Sequence, residues 1–137
     1  GDVYKRQELA YLKINKGDNL ANIFNIDNVY FDFGHTNIRK DASVQLAKIV
    51  AFLEDNPSLN LIVKVHTDSR GNDKYNKELT ETQAKSIEQW LVKKGIASYR
   101  IIAKGYGATQ LVNGCEKGVP CTEEEHQANK RVEFIVD

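Results

Sequence analysis

Apolar positions along the chain change their period from segment to segment, and the changes mark out the elements. Leu46, Ile49, Val50 and Leu53 fall at i, i+3, i+4 and i+7, the stripe of one helical face, and Asn56-Pro57 ends it. The pattern predicts a helix over residues 41–55. Residues 59–67 alternate instead, with Leu61, Val63 and Val65 on one side, as a strand with one buried face does. The end of that strand delivers Thr67 and Asp68 to a loop. A second stripe, Ala84, Ile87, Leu91 and Val92 with Trp90 at its margin, predicts a helix over 77–94, closed by Gly95. Val29-Tyr30-Phe31-Asp32-Phe33, aromatic and β-branched and ending at Gly34, reads as a first strand. Residues 101–104 and 131–136 supply two more, separated by a cysteine loop and a polar, turn-like segment at 122–129. Residues 8–27 scatter their apolar positions and read as a short strand or an irregular lead-in. The order β-α-β-α-β-β predicts a two-layer α+β domain with two main helices packed on one face of a four-stranded sheet.

Length and charge narrow the function. A chain of 137 residues is about one domain with its own core. Nineteen basic and nineteen acidic side chains cancel, so the electrostatic term that drives nucleic-acid binding is missing. No apolar run is long enough to cross a bilayer as a helix. The first seven residues, Gly1-Asp2-Val3-Tyr4-Lys5-Arg6-Gln7, look like a translated sequencing adapter, and the chain has no methionine. They are set aside, leaving 8–27 as lead-in and 28–137 as the domain. On that reading the sequence is silent about any upstream β-barrel, lipid anchor or repeat.

Cys115 and Cys121 flank Glu-Lys-Gly-Val-Pro, a turn-rich loop. They can close as a disulfide, stay as thiols, or join His126 in a metal site. The disulfide is the expectation, contributing about 2.4 kcal/mol in the chain-entropy model and implying an oxidising compartment. The three histidines, His35, His66 and His126, show no metal-ligand spacing. Neither a metal nor another cofactor is expected.

Four short motifs carry the functional signal. They are His66-Thr67-Asp68-Ser69-Arg70-Gly71, Tyr75-Asn76-Lys77-Glu78-Leu79-Thr80, Ala103-Lys104-Gly105-Tyr106-Gly107 and Asn129-Lys130-Arg131-Val132-Glu133. Taken alone, Asp68 is a strand-end carboxylate that accepts from a ligand ammonium or caps its own turn. In this order and spacing the four motifs resemble the OmpA-like peptidoglycan-binding domain, the C-terminal domain of OmpA-family outer-membrane proteins. The likeness covers roughly residues 28 to 136. It implies a mixed sheet and a non-catalytic module that binds peptidoglycan and tethers the outer membrane to the cell wall. The setting is the periplasmic side of the outer membrane of a Gram-negative bacterium, with the membrane reached only through an upstream segment. The implied ligand is the diaminopimelate of the stem peptide, met by Asp68, with Thr67, Asn76, Leu79, Gln83, Arg131 and Phe33 around it.

Gln83 is the departure from the family pattern, which carries arginine there. Diaminopimelate ends in an ammonium and a carboxylate on one carbon, and a guanidinium fork suits that carboxylate better than a neutral amide does. Gln83 also fits a capping box, Thr80-Glu81-Thr82-Gln83, that would start the second helix. Arg131 is the best remaining cation, although an ordinary ion-paired strand residue would look the same. Asn76 and Leu79 read equally as a helix-start asparagine and a core leucine. Two other functions stay in view. One is a structural or protein-interaction module that has lost the ligand with the arginine. The other is a hydrolase using Asp68 with His66 or His126, for which no nucleophile or second carboxylate is evident.

Overall fold

A computed structural model describes residues 14–26, 31–32 and 34–137. Three strands, β1 (Leu61–His66), β2 (Ile101–Gly107) and β3 (Arg131–Val136), form a sheet in the order β2-β1-β3. β1 runs parallel to β2 and antiparallel to β3, so the sheet is mixed. Among the described residues four helices accompany it: α1 (Leu20–Ile23), α2 (Lys40–Asp55), α3 (Asp73–Lys93) and α4 (Glu123–Gln127), with a 3-10 turn at Ser98–Arg100. The α+β class and both main helices are as the periodicity predicts.

The predicted stripes meet in one core, except that Val92, expected on the inward face of the second helix, is 41% exposed. Leu46, Ile49, Phe52 and Leu53 of α2 and Ala84, Ile87 and Leu91 of α3 are buried with Leu61, Val63 and Val65 of β1 and Phe134 of β3. Burying an aliphatic or aromatic side chain of this kind stabilises the fold by about 1.5–3 kcal/mol. Arg100 is buried too, and its guanidinium donates to the carbonyls of Leu53, Asn56 and Leu59. These bonds satisfy the last carbonyls of α2 and hold that helix end against the approach to β1.

Four expectations need correction. Among the described residues the sheet has three strands, not four. Of the predicted first strand only Phe31 and Asp32 are described, and Phe31 makes a single antiparallel bridge to Ile38. Gly34, at φ +71°, and the bond from His35 N to Asp32 O turn the chain back there, so this pairing is local. The lead-in contains a helical turn: Asn19 caps α1 by accepting from Ala21 N, and the same oxygen accepts from Phe134 N, which draws Leu20 into the core. The polar segment at 122–129 holds α4, opened by a capping box in which Thr122 and Glu125 exchange bonds of 2.9 and 3.1 Å. Finally, α3 starts at Asp73 because Asn72 caps it, accepting from Tyr75 N at 3.0 Å. Gln83 therefore lies in mid-helix, and Thr80-Glu81-Thr82-Gln83 is no capping box.

Thr80 has another task. Its hydroxyl bonds the carbonyls of Asn76 and Lys77 one turn back and accepts from Gly107 N of β2 at 2.8 Å. The strand lies so near the helix that a Cβ on Gly105 would sit 2.1 Å from Glu81 N and 2.2 Å from the Thr80 carbonyl carbon. Both contacts are to backbone, so no side chain can swing aside. Gly105→Ala should consequently force α3 off β2 and cost about 1–3 kcal/mol or more, as overpacking does. Thermal melting checks it: a midpoint equal to the parent's would show that the helix recedes freely.

Candidate ligand-binding site

The close contact of α3 with β2 sets the first turns of α3 beside the C-terminal end of β1. Thr67 and Asp68 from the loop after β1, Asn76, Leu79 and Gln83 from α3, and Arg131 from β3 all line one open cleft of about 760 Å³. Six of the seven expected ligand residues thus share one cavity. The seventh, Phe33, lies outside the described residues, while its neighbours Asp32 and Gly34 border the same cleft.

Asp68 is 3% exposed and forms the floor. Its carboxylate accepts from Arg70 N at 2.8 Å and from the Arg70 guanidinium at 2.9 and 3.3 Å, with Lys130 Nζ 3.7 Å away. Burial pushes the Asp68 carboxyl up, but the Arg70 side chain and backbone bonds outweigh it, and the net shift is downward. The group is an ionised, strongly held acceptor.

The other expected residues sort into distinct roles. Thr67 donates its backbone N–H to Gly107 O, which continues the strand pairing past β1. Asn76 is buried and donates to Arg70 O at 2.9 Å, so it fixes the Asp68 loop. Leu79 is half-buried and supplies an apolar wall. Gln83 donates to His35 O at 2.9 Å on the exposed rim. Arg131 lies on the cleft wall, its guanidinium 2.9 Å from Gln110 O and 3.4 Å from Glu133. Burial holds its pKa below the usual arginine value.

From the sequence Arg70 stands beside Lys85 and Arg131 as a possible source of the charge missing at position 83, and Glu123 carries no signal, yet these two dominate the electrostatics. The Arg70 guanidinium is shared between Asp68 and Glu123, meeting the latter at 2.6 and 3.2 Å. Bonds to both carboxylates raise the Arg70 pKa, and those from Arg70 and Gln127 pull the Glu123 carboxyl down to about 2. The motif Thr-Asp-x-x-Gly carries Arg70 in its variable part, and Glu123 is 53 residues away, so only the folded chain joins them.

The disulfide expectation holds. Cys115 and Cys121 are joined at 2.07 Å, and Ser69, next to Asp68, donates to the Cys115 carbonyl at 2.6 Å. The loop therefore braces the site. Glu125 lies close to both sulfurs, but half-cystines offer no thiolate to a metal. His66 packs its ring on Tyr106, with centroids 5.3 Å apart, and Nε2 is 2.5 Å from Glu133 Oε1. Burial and then Arg131 lower its pKa against the pull of Glu133, so the imidazole is neutral at physiological pH.

The OmpA family model matches residues 30–123. The chain belongs to the OmpA family. Its relatives include the photosystem I P700 chlorophyll a apoprotein A2 of Gloeobacter violaceus, 35% identical over 112 residues, covering 80% of this chain and 13% of that protein. Outer membrane porin F of Pseudomonas fluorescens is 35% identical over 109 residues, covering 80% of this chain and 32% of the porin. The chain thus spans a third or less of these relatives. The peptidoglycan-associated lipoprotein from Burkholderia pseudomallei shares the fold with a TM-score of 0.70 at 21% identity, over 85% of this chain and 96% of that one.

The acid limit of this OmpA-family domain should follow from Asp68. A folded-state pKa below the unfolded one, about 3.9, adds stability above that pH and loses it as pH falls through the folded value. Stability should decline below about pH 4, and Asp68→Asn should flatten the decline. Denaturant melts between pH 2 and 7 test this; an unchanged slope in the variant would remove Asp68 from the acid transition.

Proposed function

We propose that the domain is a non-catalytic binding module for peptidoglycan and that the cleft takes the diaminopimelate side chain of the stem peptide. The observation that carries this reading is the pairing of Asp68 with Arg70. An anion on the cleft floor and a cation 2.9 Å from it form the complement of a carbon bearing both an ammonium and a carboxylate. Leu79 adds an apolar wall for the methylenes between the stem and that end. The names of the relatives, an outer membrane porin and a peptidoglycan-associated lipoprotein, support the same assignment. A place on the periplasmic side of the outer membrane of a Gram-negative bacterium follows, with Thr67, Asn76, Gln83, Arg131 and Phe33 completing the site. Tethering to the membrane is assigned to a segment outside this sequence.

One observation favours a second reading. The Gln83 amide already serves the His35 carbonyl, so position 83 gives the ligand no free cation. A domain without that cation would act as a structural or protein-interaction module.

Asp68→Asn separates the two. The substitution keeps the size and one acceptor but removes the charge, and it weakens charge-assisted bonds that contribute about 1.5–3 kcal/mol each. The variant should fold, melt somewhat lower, and lose retention on purified sacculi. Equal retention by parent and variant would remove Asp68 from the site. Failure of the parent itself to be retained would favour the interaction module.

A further inference from the structure

We propose that Arg70, not residue 83, receives the ligand carboxylate, and that Glu123 holds that position as an intrachain competitor which the ligand displaces. This rests on the peptidoglycan-binding reading and names the cation and the regulation of that same cleft.

The geometry of the guanidinium carries the argument. Its Nε and Nη2 face Asp68 at 3.3 and 2.9 Å, and its Nη1 and Nη2 face Glu123 at 2.6 and 3.2 Å. One edge of the planar fork meets both oxygens of Glu123, the arrangement in which arginine binds carboxylates best, and the other edge meets the single oxygen Oδ2 of Asp68. The two partners differ in surroundings. The Asp68 side chain is 5% exposed and braced by its loop, whereas that of Glu123 is 63% exposed on the five-residue helix α4. Exposed ion pairs add little to stability, so the outer partner is exchangeable while the inner one is not. Glu123 marks where a second carboxylate fits, within the cleft and directly beside the acceptor for the ammonium.

Arg70 is also held in place before any ligand arrives. Its backbone N–H bonds Asp68, its carbonyl accepts from Asn76, and the preceding Ser69 is tied to Cys115. Glu123 is set by the same frame. It lies two residues beyond Cys121, whose disulfide partner carries the Ser69 bond, and Gln127 steadies its carboxylate at 2.6 Å. The disulfide loop thus fixes the cation and its competitor relative to each other. Gln83, meanwhile, is turned to the His35 carbonyl. A guanidinium with five N–H groups can serve the buried carboxylate permanently and exchange the exposed one.

Calorimetric titration with two peptides tests this. One is a stem peptide ending in diaminopimelate; the other is the same peptide with the side-chain carboxylate amidated. Glu123→Gln should tighten the acidic peptide by roughly two- to fivefold, the worth of one exposed ion pair, and leave the amidated peptide unchanged. Arg70→Gln should weaken the acidic peptide by about tenfold, as loss of a charge-assisted bond does, and the amidated one far less. Arg70→Lys, which keeps the charge without the fork, should fall between, and thermal melts confirm that each variant folds. Unchanged affinity of Glu123→Gln for the acidic peptide, or an equal gain for both peptides, overturns the proposal while the function stands. Parent-like binding of the acidic peptide by a folded Arg70→Gln does the same. Absence of binding by the parent to peptide and sacculi alike overturns the proposed function, and this inference with it.

Discussion

The molecule is organised around the contact between α3 and β2, where two backbones approach too closely for any side chain. Gly105 removes the Cβ that would meet the start of Glu81, and Thr80 seals the contact by binding Gly107 N. A hydrogen bond from a backbone amide to a buried hydroxyl contributes only about 1 kcal/mol, but leaving that amide unpaired would cost more. The site depends on this contact. It aligns the first two turns of α3 with the end of β1, and Gly107 O in turn accepts from Thr67 N, immediately before Asp68. The Gly-x-Gly motif is consequently structural, and it acts on the ligand cleft through position alone.

Around that frame the cleft solves a solvation problem. A carboxylate as buried as Asp68 loses much of its hydration, and only strong partners keep it ionised. Arg70 supplies three bonds, one from its backbone and two from its guanidinium, so that the charge is retained and its direction fixed. The guanidinium keeps N–H groups turned outward, where Glu123 meets them. The disulfide loop contributes through geometry. It presents the Cys115 carbonyl to Ser69 and starts α4 beside Arg70.

What the sequence made legible follows from where the physics is local. Both main helices, β1 and β3 were readable because one-sided burial imposes a period on neighbouring residues. The start of α3 was not, because its first turn, Asp73-Lys74-Tyr75-Asn76, faces solvent or the site and carries no apolar stripe. Three segments fit the capping-box pattern, Thr80 to Gln83, Ser86 to Gln89 and Thr122 to Glu125, and only the last opens a helix. A local motif cannot tell whether a helix is already under way when it occurs. Asp68, Asn76 and Leu79 were found through the family's motifs, but the roles of Arg70 and Glu123 arise from a pairing across 53 residues that no periodicity encodes.

Gln83 shows how a departure from a family pattern is absorbed. A glutamine in place of arginine at this helix position keeps a donor of similar reach, and the amide uses it to tie α3 to the His35 carbonyl on the rim. That bond joins the segment following Gly34 to the helix, so the residue has become part of the cleft wall. A neutral amide cannot also balance a ligand carboxylate in a site whose floor is already an anion. The charge has to come from a neighbour, and it has to lie near Asp68 if ammonium and carboxylate on one carbon are to be met together. Arg131 is committed to Gln110 and Glu133, and Lys130 is 3.7 Å from Asp68 as a point charge without a fork. Arg70 alone among these three combines bidentate geometry, direct contact with Asp68 and an edge turned toward the cleft opening. In the proposed binding mode the carboxylate-binding task therefore lies with the loop rather than with the helix.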